Sequence, residues 1–314
     1  MVTARSLAAP AQSVRPSGAA AQRSEDAALA TFHFDGRVEG VAYPSLSPQQ
    51  QDTFKADFSR EVASLRAWCR QESWPPSPPA SLQIFVSDEY KISRSLVPAA
   101  LDQRGHMEFP AWKAIAGEAA IAHELAHVYF PNGNRFLAEG LAVYLQAKIG
   151  GNPAFPNYGK PLREMTRELL TAMVGELVAE NLAKVRLADL DKITTPSPLR
   201  LRIGRELYDN NPVGQGHIYP LAGSFVEFLI GTYGADRFRA LFEMTPLVPF
   251  ERNAGSPDRW TDVFRLSLTD LETQWKSLIA SDPAPSLAGP VRGSTQDTRQ
   301  VAAARLRLDH AEHF

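Results

Sequence analysis

His123, Glu124 and His127 stand in the order His-Glu-Leu-Ala-His, a spacing suited to a metal-dependent hydrolase. On an α-helix, residues four apart share a face, so the two imidazoles can be aimed at one metal ion. Glu124, beside His123, is placed to take a proton from a water held by that ion. Zinc lowers the pKa of such a water toward about 7, which makes hydroxide available at neutral pH. Five residues also coincide by chance in long chains, so the flanking sequence has to carry the reading.

Pro110 can open a helix that runs through the Ala-, Ile-, Lys- and Glu-bearing stretch from Ala111 to Ile121 into the motif. Pro131-Asn132-Gly133-Asn134 then stops the helix and turns the chain. A second amphipathic segment follows from Arg135 to Gln146, with Leu137, Leu141, Tyr144 and Leu145 at helical spacing. Glu139 is its one acid. A short turn between antiparallel helices brings Glu139 back toward the metal held by His123 and His127. Two His and one Glu, with a fourth position left to water, is the catalytic arrangement of zinc rather than the structural one. The expected cofactor is therefore Zn2+.

The string Ile121-Ala122-His123-Glu124-Leu125-Ala126-His127, followed by Leu137-Ala138-Glu139-Gly140-Leu141-Ala142-Val143-Tyr144, resembles the gluzincin metallopeptidases. It is most similar to the minimal bacterial peptidase MA-like domains and, more distantly, to aminopeptidase N. The resemblance implies zinc ligation by His123, His127 and Glu139, with Glu124 as general base. It extends loosely from Leu82 to Leu278, through Ile218 to Leu229, Tyr233-Gly234 and Leu266 to Trp275. The departures are specific. The stretch from His127 to Glu139 is shorter than in thermolysin or aminopeptidase N. Val143 stands where thermolysin-like enzymes carry an acid four residues after the zinc Glu. Gly105-His106-Met107-Glu108-Phe109 resembles the Gly-x-Met-Glu-Asn segment of aminopeptidases, but Phe109 replaces the Asn and the segment lies closer to the zinc helix. Glu108 is thus read either as a binder of a substrate's N-terminal amine or as an ordinary strand residue.

Hydrolysis of an amide also needs a hydrogen-bond donor for the developing oxyanion. Gluzincins often supply a Tyr or His from a later segment, and Tyr219, His217 and Tyr208 are the candidates, with Tyr219 first. The Gly-, Asn- and Pro-bearing stretch around them reads as an exposed loop feeding a helix.

The elements that must position these groups read as an α+β fold: a small mixed sheet over the active-site helix, with a mainly helical C-terminal half. Thr31 to Phe34 and Arg37 to Val41 flank Asp35-Gly36, a hairpin signal. Ser47-Pro48 starts a helix with Phe54, Phe58, Val62, Leu65 and Cys69 on one face, and Pro75 to Pro79 ends it. Strands are expected at Leu82 to Val86 and Gly105 to Phe109, the latter as the edge that pairs with extended substrate. Helices are expected at Leu162 to Asn181, Tyr219 to Gly231, Asp236 to Met244 and Asp270 to Ile279, the last capped by Thr269 with Glu272.

Residues 1–30 read as a disordered segment and 281–314 as a flexible tail around a peptidase domain at 31–280, with the sheet and zinc helices in 31–145 and the helical part in 146–280. With 44% hydrophobic residues among 314, the chain has material for a sizeable core. Lys and Arg number 33 against 35 Asp and Glu, a net charge of 33 − 35 = −2, and no basic stripe points to nucleic acid. No apolar run reaches the roughly 18–20 residues of a membrane helix. The single Cys69 cannot form an internal disulfide and reads as a buried small hydrophobe. The resembling family favours a bacterial periplasmic or secreted location, with the cytoplasm as the alternative. The function expected is zinc-dependent hydrolysis of a peptide or protein substrate. Two other classes stay open: a catalytically silent zinc-binding module for peptides, and a zinc hydrolase of small amides or esters.

Overall fold

The computed structural model describes residues 32–35, 46–77, 79, 82–96, 105–151, 154, 156–172, 178–203, 206–209 and 218–281. It is a mixed α+β molecule whose described strands come mainly from the first third of the chain and whose other described residues are mostly helical. Both predicted tails fall outside the described residues, apart from Ser281.

A four-stranded sheet is built from β1 (Phe32–Asp35), β2 (Leu82–Ser87), β3 (Arg94–Ser95) and β4 (His106–Pro110), in the order β1-β2-β4-β3. β1 and β4 run parallel to β2, and β3 runs antiparallel to β4. The described partner of β1 is therefore β2, with Phe34 opposite Ile84, rather than a hairpin mate. The predicted mate, Arg37 to Val41, lies outside the described residues. β4 is also not an edge strand: Arg94 pairs with Glu108 and Ser95 with Met107 along its outer side. The edge belongs to β3.

Leu82, Ile84 and Val86 alternate inward from β2, as a period of two requires. They meet Met107 and Phe109 of β4 and the apolar face of α1 (Pro48–Gln71), where Phe54 sits edge-on to Phe109 with ring centroids 5.5 Å apart. α1 begins on Ser47, which forms a capping box with Gln50. Cys69 is buried and unpaired, and burial pushes its thiol up to about 12, which keeps it unreactive.

The helix expected to run unbroken from Ala111 into the motif is two helices, α2 (Ala111–Ala116) and α3 (Ile121–Tyr129). Gly117, in the left-handed region at φ 69°, ends α2: its N–H bonds to Ala114 and that of Glu118 to Lys113, the two bonds of a Schellman motif. Glu118 therefore lies in the break and does not share the motif's helix.

α4 (Arg135–Ile149) is buried without interruption from Phe136 to Gln146, which makes it the central helix of the second half. It packs on α8 (Ile218–Tyr233). The contact is close at two glycines: a Cβ on Gly140 would lie 2.6 Å from Val226 Cγ2, and one on Gly223 only 2.3 Å from Val143 Cγ1. Around this pair stand α5 (Leu162–Ala172), α6 (Val178–Lys184), α7 (Leu187–Asp191), α9 (Ala235–Glu243), α10 (Arg259–Phe264) and α11 (Leu268–Ser281). The predicted helix from Leu162 to Asn181 is thus described as α5 and part of α6, with 173–177 outside the described residues. α11 is capped two residues earlier than expected, by Ser267 with Asp270, and Glu272 instead accepts the Leu187 N–H at 2.7 Å. Before α8, β5 (Arg200–Ile203) and β6 (Glu206–Asp209) form an antiparallel pair that takes in Tyr208, whose surroundings the sequence marks as a loop. The Arg-Leu-Arg-Ile-Gly-Arg-Glu-Leu-Tyr-Asp sequence does carry strand-like alternation about a central Gly. Among the described residues no helix is long and apolar enough to cross a membrane.

Candidate metal centre

α3 presents His123 and His127 from one face, and α4 returns beside it with Glu139. The Nε2 atoms of the two imidazoles lie 3.2 Å apart. Glu139 Oε2 is 3.3 Å from the first and 3.4 Å from the second. Donor atoms at about 2.0–2.1 Å from a tetrahedral ion are about 3.3–3.4 Å from one another, so the triangle has the dimensions of one face of such a site. Glu139 Oε2 is buried without a well-formed hydrogen bond, and a proton on one imidazole bridges only one edge of the triangle at a time. A cation above that face would serve all three atoms, and the set could hold a metal ion.

Charge around the site is balanced tightly. Burial pushes the Glu139 carboxyl up, but the Arg135 guanidinium and the two imidazoles outweigh it and hold it well below the usual carboxylate range. Burial pulls His123 down, yet the carboxylates of Glu139 and Glu124 leave it raised. Glu124 is buried, 4% exposed, and close enough to act electrostatically on both His123 and Arg135.

The helix that carries both His residues has no cap of its own, since its N-cap is Ala120. Its first N–H groups are satisfied from elsewhere. Glu61, fully buried on α1, accepts the Ala122 N–H at 2.7 Å, and Gln146 of α4 accepts the His123 N–H at 3.0 Å. The Ile121 and Glu124 N–H groups bond to the carbonyls of Ala119 and Ala120. At the other end, Ser77 N–H meets the Tyr129 carbonyl at 3.0 Å. Every orphan donor of the first turn is thereby paired.

The turn between α3 and α4 is buried rather than an exposed loop. Asn134 caps α4 by accepting the Leu137 N–H at 3.0 Å, and its amide donates to the carbonyls of Asp191 and Ala254 at 2.6 and 2.8 Å. Asn132 accepts from the Asn134 N–H and the Thr245 hydroxyl and donates to the Phe242 carbonyl. These bonds set where α4 begins and hence where Glu139 stands.

Tyr219, on the first turn of α8, lies against His123 with ring centroids 5.8 Å apart and is close enough to act electrostatically on Arg135. His217 lies outside the described residues, as does the Tyr208 side chain. Glu108 does not join the cluster: it is 6% exposed, ion-paired to Arg94 and 3.0 Å from His106 Nε2, so its carboxylate is engaged where an amine-binding role would need it available.

Three residues that the sequence reading does not single out complete the surroundings. Arg135 lies one helical turn before Glu139, a spacing visible in the sequence. Gln146 lies seven after Glu139, again on its face, and Glu61 falls on the apolar face of α1 between Phe58 and Leu65. Compared with known proteins, the chain matches no family model, no curated protein and no solved structure.

Proposed function

We propose that the chain is a zinc-dependent metallopeptidase of the gluzincin type, with a zincin-like arrangement of sheet and active-site helix. The observation that carries this is the triangle of His123 Nε2, His127 Nε2 and Glu139 Oε2, with edges of 3.2, 3.3 and 3.4 Å, formed by a His-Glu-x-x-His helix and the helix after it. His123, His127 and Glu139 would hold the ion. When bound, zinc would supply the Lewis acidity that activates water near neutral pH and polarises the scissile carbonyl.

The protein's own groups then divide the work. Glu124 takes a proton from the attacking water and passes it to the departing amine nitrogen. Tyr219, against the His123 ring, donates its hydroxyl proton toward the oxyanion. Extended substrate pairs by its main chain with the sheet edge at Arg94–Ser95, the strand beside α3. Glu108, on the strand behind that edge, is ion-paired to Arg94.

Purified protein is expected to contain zinc and to cleave members of a mixed-peptide library, read by mass spectrometry. Glu124→Gln should keep the zinc and lose hydrolysis by a factor on the order of 100 or more. His127→Ala should lose the metal, measured by elemental analysis. A Glu124→Gln variant that cleaves at the wild-type rate contradicts the mechanism. Zinc without turnover on any peptide points instead to a peptide-binding module.

A further inference from the structure

We infer that Arg135 is a positioning residue that holds two working groups at once, the Glu139 carboxylate and the Tyr219 hydroxyl. The inference rests on the metallopeptidase reading above for what those two groups do. Arg135 is the first residue of α4, and its backbone N–H is anchored to the Ile193 carbonyl at 2.8 Å. Its side chain, 17% exposed, turns along the helix and pairs through Nη2 with Glu139 Oε1. That leaves Oε2 as the oxygen presented to the two imidazoles. A carboxylate free to rotate would offer either oxygen, whereas the guanidinium selects one.

The second contact follows from the donor inventory. Guanidinium has five N–H donors and no acceptor, so a hydrogen bond between it and the neighbouring Tyr219 is accepted by the Tyr oxygen. That bond does not consume the hydroxyl proton, and it orients the O–H away from Arg135. The Tyr219 ring is meanwhile fixed by its edge contact with His123. One planar side chain thus sets the angle of a metal ligand and of a proton donor, linking α4 to α8 across the site. Lysine, a single ammonium, cannot reproduce both directions.

An ordinary ion pair one helical turn apart would affect stability alone, so the test uses readouts that stability does not move. Arg135→Met, Arg135→Lys, Tyr219→Phe and the Arg135→Met/Tyr219→Phe double variant are compared with wild-type protein, with circular dichroism as the folding control. Zinc dissociation constants come from competition with a chromogenic chelator. Turnover is measured at saturating zinc on a peptide that the wild type cleaves. Arg135→Met is expected to weaken zinc about 10- to 100-fold. At saturating zinc it should lower kcat about tenfold or more, with KM within about twofold. Adding it to Tyr219→Phe should lower kcat no further, since both changes remove the same donor. Arg135→Lys should recover part of the zinc affinity and little of kcat. Unchanged zinc affinity in a folded Arg135→Met, or kcat losses that multiply in the double variant, overturn the proposal. A wild type that holds zinc but cleaves nothing defeats the peptidase reading alone, and the zinc constants of the Met and Lys variants then decide the Arg135 proposal. A wild type that takes up no zinc removes both.

Discussion

α1 and α3 lie against each other, and they are held in opposite ways. α1 has 24 residues and closes its own N-terminus: Ser47 Oγ accepts from Gln50 N–H at 3.3 Å, and the Gln50 side chain accepts from Ser47 N–H at 2.8 Å. α3 has nine residues and an alanine at its N-cap. Its first turn is completed by Glu61 from α1 and Gln146 from α4, and its last by Ser77. A helix of nine residues is too short to persist alone in water. α1 supplies an apolar face and can be placed by that face, whereas the position of α3, which carries His123 and His127, is set by the elements that flank it. The cost of this arrangement is a carboxylate at zero exposure.

That cost can be measured. In the unfolded chain Glu61 ionises near 4.5, and in the folded protein burial raises this to about 7 despite the Ala122 N–H. The folded state therefore favours the protonated acid, and the stability associated with it is complete below about pH 4.5 and is lost as pH rises through 7. Glu61→Gln keeps an acceptor for Ala122 and removes the charge. It should be more stable than wild type at pH 8 by about 3 kcal/mol and close to it at pH 4.5. Urea denaturation at the two pH values reads the difference, and a constant offset between variant and wild type would show that Glu61 does not titrate in this range.

A smaller effect is expected from Glu61→Ala at pH 5, where the wild-type acid is mostly neutral. Loss of the acceptor leaves the Ala122 N–H buried and unpaired, a cost of about 2 kcal/mol. Zinc affinity should fall with it, because the first turn carries His123. Smallest of all is Ser47→Ala on α1, at about 1 kcal/mol, with zinc affinity unchanged. If the two alanine variants affected zinc equally, the contrast between a self-capped scaffold helix and an externally held histidine helix would not hold.

Local signals account for part of this molecule. The face of α1, the alternation of β2, the stop at Pro131 and the helical pairing of His123 with His127 all follow from periodicity and turn chemistry over a few residues. Other features needed distant partners. Nothing between Ala111 and Tyr129 announces by itself that Gly117 breaks the helix, because an alanine-rich segment tolerates glycine unless the chain must change direction. β4 reads as an edge strand until Arg94–Ser95 is seen to cover it, and that pairing depends on a two-residue strand too short to carry any pattern. The cap of α11 is ambiguous in the sequence because Ser267-Asp270 and Thr269-Glu272 carry the same signature, and Glu272 bonds instead to Leu187 in a separate helix.

Sequence alone determined that His123 and His127 come together, since side chains four apart on a helix share a face whatever surrounds it, and a short turn limits where Glu139 can go. It also determined the mixed α+β character, through the periods of its apolar residues. Tertiary structure decided the rest: which Glu139 oxygen faces the imidazoles, which donors Glu61 and Gln146 satisfy, and that Tyr219 stands against His123 within reach of Arg135. Those depend on contacts between segments as far apart as Glu61 and Ala122, or Arg135 and Tyr219. Spacing along one helix cannot encode the distance between two.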